Sequence, residues 1–250
     1  AAMGGIVATL FSGKVLTLLN SLLLDVFCQR RIMRESRLRW VMHMCLFWGF
    51  TLLLLMHALE GILTSNLFAD YAATLNPFLF LRNFFGLLVF VGVGIAFYRR
   101  FIQKTPRFST NAMDRYALIL LAVIMISGVF LEAAKIVSFE RYSQMVTDYA
   151  DFDEEQDLKA LEALWVRDFG VVSLNIAAPF DKKLLTRGRE LHEMNCAACH
   201  TRPQWAFISY GAATALRPVA LPLDRSGLVT ILWTIHFLTC FVGLAYLPFS

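Results

Sequence analysis

The residues best suited to chemistry lie in the stretch ELHEMNCAACHTRPQW, which holds Cys196, Cys199 and His200 as Cys-Ala-Ala-Cys-His. In this spacing both thiols can form thioether bonds to the vinyl groups of a haem, while the adjacent histidine binds the iron. A zinc half-site would need two further ligands, and His192 is the obvious extra one in this region. A thioredoxin-like dithiol would need a βαβ context, which the sequence lacks. The motif therefore predicts a covalently attached haem c with His200 as an axial ligand.

The second axial ligand of this haem stays open at the level of sequence. His192, Met194 and Met145 are candidates, although the first two immediately precede the first thiol and are poorly placed to reach the opposite haem face. Only residues 201–225 separate the motif from the next apolar segment, which is too short for a complete cytochrome c fold. We therefore expect the haem to rest on a membrane domain or on a partner.

The rest of the chain has the composition of an integral membrane protein. Of its 250 residues, 58% are hydrophobic and 17% are charged, and the mean hydropathy is +0.58, whereas soluble domains carry about 25% charged residues. A helix of about 20 apolar residues crosses a bilayer. Five segments have this character, at residues 4–27, 41–63, 77–98, 116–137 and 226–249. The first is the weakest because Lys14, Asn20 and Asp25 interrupt it, so part of it could lie at the interface as an amphipathic helix.

Charges between the segments orient them. The linker between the first two segments is strongly basic, and so is the linker between the third and fourth; the basic residues are Arg30, Arg31, Arg34, Arg37 and Arg39, and Arg99, Arg100, Lys104 and Arg107. Short basic loops mark the cytoplasmic side of a membrane, so we interpret these residues as topology signals and expect no nucleic-acid partner. The linker with Asp70 has no Lys or Arg, and it is therefore expected outside, together with residues 138–225.

The sequence thus predicts an all-α integral membrane protein, a five-helix transmembrane bundle with an extracytoplasmic haem c loop between the fourth and fifth helices. Haem is attached to this motif only on the outer side of an energised membrane, which agrees with the cytoplasmic (inner) membrane and a periplasmic loop. Residues 1–137 would form the first four helices, residues 138–225 the outer segment, and residues 226–250 the fifth helix. The outer segment begins with the acidic stretch DYADFDEEQDLKALEALW, which predicts a short amphipathic surface helix.

Three further histidines, His43, His57 and His236, lie in predicted membrane helices. A lone histidine in an apolar helix is usually a packing residue, but polar groups in lipid are costly and usually functional. His43 and His57 are 14 residues apart, nearly four helical turns, so they share one face about 21 Å apart along the axis. This spacing suits two haems stacked across a bilayer. Gly49, between them, would allow the close approach of a porphyrin or of another helix.

The helix directions pair these histidines by depth. The second helix runs outward and the fifth runs inward, so His57 and His236 both lie in the outer half, where they could bind one iron. His43 lies nearer the cytoplasm and has no histidine partner before Ser250. The fifth helix also ends at LPFS without a basic anchor. We therefore expect the natural chain to continue, with a histidine about 18 residues, or about 27 Å of helix, after His236.

The stretches HMCLFWGFTLLLLMH, YRRFIQKTPRFSTNAMD and IHFLTCFVGLAYLPFS give the chain a resemblance to the gamma-subunit family of respiratory nitrate reductase. The chain is more similar still to the related cytochrome b subunits of heterodisulfide-reductase-like and sulfite-reductase-associated membrane complexes. The resemblance covers nearly the whole chain apart from the outer segment, and its motifs are moderately specific. It implies five membrane helices that hold two b haems between the second and fifth helices. It assigns His57 and His236 to the outer haem and His43 to the inner one.

The resemblance also implies substrates and partners. The family moves electrons between quinol in the membrane and an iron–sulfur subunit on the cytoplasmic side, and the outer haem c suggests a periplasmic multihaem cytochrome as a further partner. Quinol is handled near the outer haem, where four residues lie at matching depth, namely Arg82, Glu60, Glu132 and Lys135. The same four could instead anchor the interface or pair with haem propionates. The haem c motif itself is a departure from nitrate reductase gamma subunits.

On this resemblance the chain is an electron-transfer subunit of a membrane-bound, quinone-linked respiratory oxidoreductase, with the direction of electron flow open. The alternative belongs to another class, a membrane anchor or haem-handling protein that binds haem without turning over quinol. A low-spin haem spectrum that quinol can reduce would separate the two interpretations.

Overall fold

In this computed structural model, every regular element of the described residues is a helix. The structure describes residues 15–103, 112–150, 152 and 154–246; Lys14, Lys104, Arg107 and the LPFS end lie outside these ranges. The helices are α1 Val15–Phe27, α2 Arg30–Glu35, α3 Arg37–Ala58, α4 at residues 60–67, α5 Phe78–Ile102, α6 Ala112–Val137, α7 Phe139–Tyr149, α8 Glu155–Leu164, α9 Lys182–Asn195, α10 Phe207–Leu216, α11 Ala220–Arg225 and α12 Leu228–Tyr246.

Three helices of the described part are long and apolar enough to cross a membrane, namely α3, α5 and α6. They correspond to the second, third and fourth predicted segments, and Pro77 lies at the N-cap of α5. A fourth candidate is a bent pair, in which residues 207–225 meet α12 at 99°. The described part of the first predicted segment, α1, is a shorter apolar helix. The chain is therefore a multi-pass, all-helical membrane protein with three to four candidate spans among its described residues.

The helices α3 and α5 pack closely because glycines face each contact. A Cβ atom on Gly49 would lie 2.9 Å from the Phe85 carbonyl oxygen, and a Cβ on Gly92 would lie 2.6 Å from Leu46 Cγ. Small residues let membrane helices approach in this way. Of the two roles considered for Gly49, the structure therefore shows the approach of a helix.

The outer segment has a core of its own, built largely from residues that precede the haem motif. Helices α8 and α9 cross where Gly188 meets Ala160, and α7 and the turn after α8 complete the core. Its buried side chains are Tyr142, Val146, Ala160, Leu161, Leu164, Trp165, Phe169, Val171, Leu191 and Cys196. The predicted acidic helix appears as α8, but its apolar face lies at the centre of this core. The residues before the motif therefore supply the packed core that the short segment after it could not form alone.

Within the predicted outer segment, residues 207–225 form the helices α10 and α11, which adjoin the membrane helices. Two backbone N–H groups in the first turn of α10, on Ile208 and Ser209, donate to Asn83 Oδ1 at 3.2 Å each. The Ser209 hydroxyl donates to Glu132 at 2.6 Å. Asn83 on α5 thus satisfies two of the free backbone donors at the α10 N-terminus, and Glu132 on α6 accepts from the Ser209 side chain. The ten residues of α10 are too few to be recognised as a span of about 20.

Candidate haem and quinone site

A cavity of about 1060 Å³ extends between the membrane helices and the outer core. Ligand sites usually measure about 300–1,000 Å³, so this one is slightly larger than the usual range. Most of its lining is apolar, and its histidines are His43, His57, His200 and His236. The structure therefore brings the four histidines that sequence analysis selected as iron ligands onto one cavity, although they come from separate parts of the chain.

His57 and His236 face each other across this cavity. Their ring centroids are 6.2 Å apart and their planes are inclined at 53°. Two imidazoles that bind one metal ion from opposite sides, at about 2 Å per bond, have centroids about 6 Å apart. The spacing of the two rings therefore fits a single iron between them.

The ring of His236 is oriented by α6. Its Nδ1 atom lies 3.1 Å from the Ile124 carbonyl oxygen and 3.1 Å from Ser127 Oγ. A carbonyl oxygen only accepts, so Nδ1 carries the proton and Nε2 keeps its lone pair for a metal. Histidine ligands are commonly held by such a bond from their other nitrogen. The absence of a side chain at Gly128 makes room for the ring, since a Cβ there would lie 3.0 Å from His236 Cε1.

The His57 ring, unlike that of His236, is not oriented for iron binding by its hydrogen-bond partner. This residue lies in a wide helical turn at residues 54–58, a kind of irregularity that is frequent at functional sites. Arg82 Nη2 lies 3.5 Å from His57 Nδ1. Because a guanidinium cannot accept a hydrogen bond, Nδ1 must be the acceptor here. Iron binding at Nε2 would place the proton on Nδ1, so the Arg82 guanidinium would then have to turn to another acceptor.

His43 lines the part of the cavity formed by the first half of α3 and Gln29. Among the described residues no histidine lies opposite it. Basic side chains surround this region: Arg39 lies one turn before His43 and pairs with Glu35 at 2.9 Å, and Arg99 is buried beside Met42. This end of the cavity therefore combines an imidazole with positive charge, which suits the propionates of a haem.

The four residues proposed for quinol or propionates all line the same cavity. They are Arg82, Glu60, Glu132 and Lys135. Tyr71, which sequence analysis missed, donates to the Met56 carbonyl and lies 3.4 Å from Glu60. Asn83, also missed, donates to Glu132 at 3.4 Å. Neither residue has a sequence signal, because their roles come from contacts between helices that are distant in the chain.

The Cys-Ala-Ala-Cys-His motif lies at the outer end of the cavity. Cys196 is buried and Cys199 is exposed, and the ring of His200 meets Trp165 edge-on with centroids 5.4 Å apart. Burial, with Cys199 nearby, raises the pKa of Cys196 to about 11. Burial, with His192 nearby, lowers the pKa of His200, which favours the neutral imidazole that binds metals.

A loop of the membrane domain holds this motif in place. The Thr201 N–H donates to the Thr74 carbonyl at 3.0 Å, and the Thr74 hydroxyl donates to the Cys199 carbonyl at 2.6 Å. The Thr201 hydroxyl donates to the same Thr74 carbonyl at 3.1 Å. Residues directly after and within the motif are therefore tied to the linker between α4 and α5.

Two buried donors that line the cavity with His200 have no hydrogen-bond partner in the described part of the chain, Tyr142 Oη and Trp165 Nε1. The buried His192 Nδ1, which does not line the cavity, has none either. Burial and the nearby Glu162 raise the pKa of Tyr142, so its phenol stays protonated and can donate. Unsatisfied buried polar groups are rare in folded proteins. An acceptor such as a haem propionate would satisfy them, so the residues present here fit a haem.

The three candidate second ligands of haem c lie in different environments. Met194 is 67% exposed. His192 is buried with its ring against Phe169, at a centroid distance of 4.6 Å. Met145 is partly buried against the outer core and lines the cavity. Among the described residues, no group of three or more His, Cys, Asp and Glu side chains converges to hold a metal ion.

The apolar helices of the described residues define a multi-pass membrane protein, and comparison with known proteins shows its family. The chain belongs to the HdrE family, the E subunit of dihydromethanophenazine:CoB–CoM heterodisulfide reductase, whose model matches residues 19–161. The match includes α3, α5 and α6, and it ends before the Cys-Ala-Ala-Cys-His motif and α12.

Individual relatives match over a similar length. The chain is 35% identical over 120 residues to HdrE of Methanosarcina acetivorans, covering 46% of this chain and 42% of the relative. It is 31% identical over 118 residues to HdrE of Methanosarcina barkeri, covering 45% of each. It is 26% identical over 121 residues to the EtfAB:quinone oxidoreductase of Syntrophomonas wolfei, covering 45% of this chain and 16% of that protein. The matches thus span less than half the length of these curated relatives, and no solved structure matches the chain significantly.

Proposed function

We propose that the chain is an electron-transfer cytochrome subunit of a membrane quinol/quinone oxidoreductase. It passes electrons between a haem c at the outer face, b haems and quinone in the membrane, and an iron–sulfur partner on the cytoplasmic side. The observation that carries the proposal is the shared cavity, which His200, His57, His236 and His43 all line. The relationship to HdrE of heterodisulfide reductase supports a redox complex, and the more distant match to a quinone oxidoreductase supports the link to quinone.

In this proposal Cys196 and Cys199 form the thioether bonds and His200 binds the haem c iron. His57 and His236 bind the outer haem b, and His43 contributes to the inner one. The haems supply one-electron redox chemistry, while the chain supplies ligands, spacing and an apolar path. The helices α1 and α12 complete a five-helix bundle in the cytoplasmic membrane, and residues 138–225 face the periplasm, where a multihaem cytochrome exchanges electrons with haem c.

The charged residues near His57 are proposed to serve quinone. Oxidation of a quinol to a quinone releases two electrons and two protons, and the reverse reaction consumes them. The carboxylates of Glu60 and Glu132 can exchange these protons, while Arg82 and Lys135 can hold quinone oxygens or haem propionates. Glu132 is positioned for this by Ser209, which donates to it at 2.6 Å.

Haem content tests the attachment site. The chain, produced in a host that attaches haem c, should give a haem-stained band under denaturing conditions. The double variant Cys196→Ser, Cys199→Ser should lose the stain, because the thioethers need both thiols. The control variant Cys28→Ser, an exposed cysteine outside the motif, should keep it. An unstained band from the unaltered chain would contradict a covalent haem.

A second measurement tests the histidine pair and the function. His57→Ala or His236→Ala should each remove one non-covalent haem, while Phe237→Leu, an exposed neighbour, should remove none. A quinol analogue should reduce the low-spin haem of the unaltered chain. If both histidine variants keep their full haem b content, the pairing is wrong. If haem is bound but quinol cannot reduce it, the chain is a membrane anchor or haem-handling protein instead.

A further inference from the structure

We infer that Met145 is the second axial ligand of haem c, on the face opposite His200. The inference rests on the proposed covalent attachment at Cys196 and Cys199. It adds a ligand that comes from α7, about 50 residues before the motif along the chain, and so makes the outer core a two-sided haem site.

The other candidate ligands are placed unfavourably. Met194 is 67% exposed, so its sulfur lies on the outside of the segment. His192 packs against the rings of Phe169 and Trp165. It also lies on the last turn of α9, where its carbonyl oxygen accepts from the Cys196 N–H at 2.8 Å. It is therefore held against the outer core, and it is not among the residues that line the cavity in the described structure.

Met145 lies on the face of α7 that meets the motif. It follows Tyr142 by three residues, and residues with this spacing are neighbours on one helix face. The Tyr142 ring contacts Trp165 at a centroid distance of 5.4 Å, and Trp165 contacts His200 at 5.4 Å. Met145 itself packs against the outer core and lines the cavity into which His200 opens. A methionine and a histidine thus reach the same space from two separately anchored parts of the chain.

The chemistry of these side chains favours the methionine. A thioether is a soft, uncharged ligand, and methionine paired with histidine is an established haem ligand set that raises the reduction potential. Methionine is also unbranched and flexible, so its sulfur can adjust its position when haem is attached. Tyr142 is the competing group on the same face of α7, but its buried phenol stays protonated, and iron prefers tyrosine as tyrosinate. Tyr142 and Trp165 are instead free to donate to propionates.

Substitution of Met145 in the full, haem-loaded chain tests the inference. In Met145→Leu the side chain keeps its approximate volume, but the iron loses its sixth ligand. We expect the covalent haem to stay attached, its ferrous form to gain stoichiometric CO binding, and its ferric form to lose the long-wavelength absorption band of thioether ligation. In Met145→His the haem should stay six-coordinate and resist CO, with a lower reduction potential. The control Met194→Leu should match the unaltered chain in all three measurements.

Each other outcome has a defined meaning. If haem staining shows no covalent haem in the unaltered chain, both the proposed attachment and this inference are wrong. If covalent haem is present but Met145→Leu keeps the absorption band and still excludes CO, only the inference is wrong. Should Met145→Leu fail to mature, Met145→His decides: covalent haem with an unchanged potential contradicts methionine ligation, whereas a lowered potential supports it.

Discussion

Gly188 on α9 crosses Ala160 on α8 with no room for a side chain. A Cβ atom on Gly188 would lie 2.8 Å from the Ala160 carbonyl carbon and closer still to its oxygen, with Leu164 Cβ at 3.2 Å. Backbone atoms cannot move aside as the end of a flexible side chain can. The contact therefore sets how closely the two helices of the outer core approach, and with them the motif that follows α9.

The first prediction is that Gly188→Ala destabilises the outer core. Overpacking costs about 1–3 kcal/mol, and the clash with backbone puts this site at the upper end, above the gain of about 1 kcal/mol that alanine brings to a helix. Hydrogen exchange of residues 155–195 should become faster. Gly211→Ala is the matched control, since a Cβ there meets nothing within 4 Å, and it should leave exchange unchanged or slower. Equal exchange in both variants would contradict the role given to this crossing.

The second prediction concerns Asn83, which caps α10 from a different helix. Its Oδ1 atom accepts from the Ile208 and Ser209 N–H groups. Loss of a helix N-cap costs about 0.5–2 kcal/mol, and the buried Ser209 would be left with its N–H unsatisfied. Asn83→Ala should therefore accelerate hydrogen exchange in residues 207–216, whereas Asn66→Ala, at an exposed position, should not. Unchanged protection of α10 would show that its apolar packing alone holds it.

The third prediction uses the space beside His236. In Gly128→Ala the new methyl group would lie 3.0 Å from His236 Cε1, so the imidazole must turn relative to Ile124 and Ser127. If His236 binds a haem b, the electron paramagnetic resonance signal of that haem should shift while the haem c signal stays the same. Gly94→Ala, where a Cβ meets nothing within 4 Å, should change neither signal. A shift confined to haem c would show that the ligands are wrongly assigned.

The fourth prediction is a pH dependence of the outer core. Arg167 donates two hydrogen bonds of 2.7 Å to Asp168, and Arg202 lies 3.6 Å away. The bonds from Arg167 hold the pKa of Asp168 below its ordinary value. Folding therefore favours the deprotonated carboxylate, so this stabilisation is present above the unfolded pKa of about 3.9 and is lost as the pH falls through the folded pKa.

The measurement is thermal unfolding of Asp168→Asn beside the unaltered chain. At neutral pH the variant should be less stable by about 1 kcal/mol, a typical value for a partly exposed pair. The difference should vanish in acid, once Asp168 is protonated in both states of the unaltered chain. Asp148→Asn, an exposed substitution on α7, controls for charge alone. If the difference in stability persisted unchanged in acid, Asp168→Asn would destabilise the fold through packing and not through the loss of a charge.

The membrane helices could be predicted because α3, α5 and α6 are long, apolar and separated by charges. The position of α10 could not be predicted, because its ten residues are too few to be recognised as a membrane span. Its position depends on contacts with Asn83 and Glu132, which only the structure shows. The proximity of His57 and His236 followed from depth and helix direction. The contacts of the two rings with Ser127, Ile124 and Arg82 could not be predicted in this way, because they depend on atomic positions in neighbouring helices. The outer core was missed for a related reason: its residues precede the motif and carry no spacing signal.

The three hydrogen bonds that join Thr74 to Cys199 and Thr201 have a consequence for kinetics. Electrons cross between redox centres by tunnelling, and the tunnelling rate falls steeply as the gap widens. Thr74 lies in the linker that leads into α5, the helix whose Arg82 contacts His57. A haem on the motif and a haem at His57 would therefore keep their separation while the outer segment moves with the linker. The gap would be set once, when the chain folds, and would not have to be re-established at each turnover.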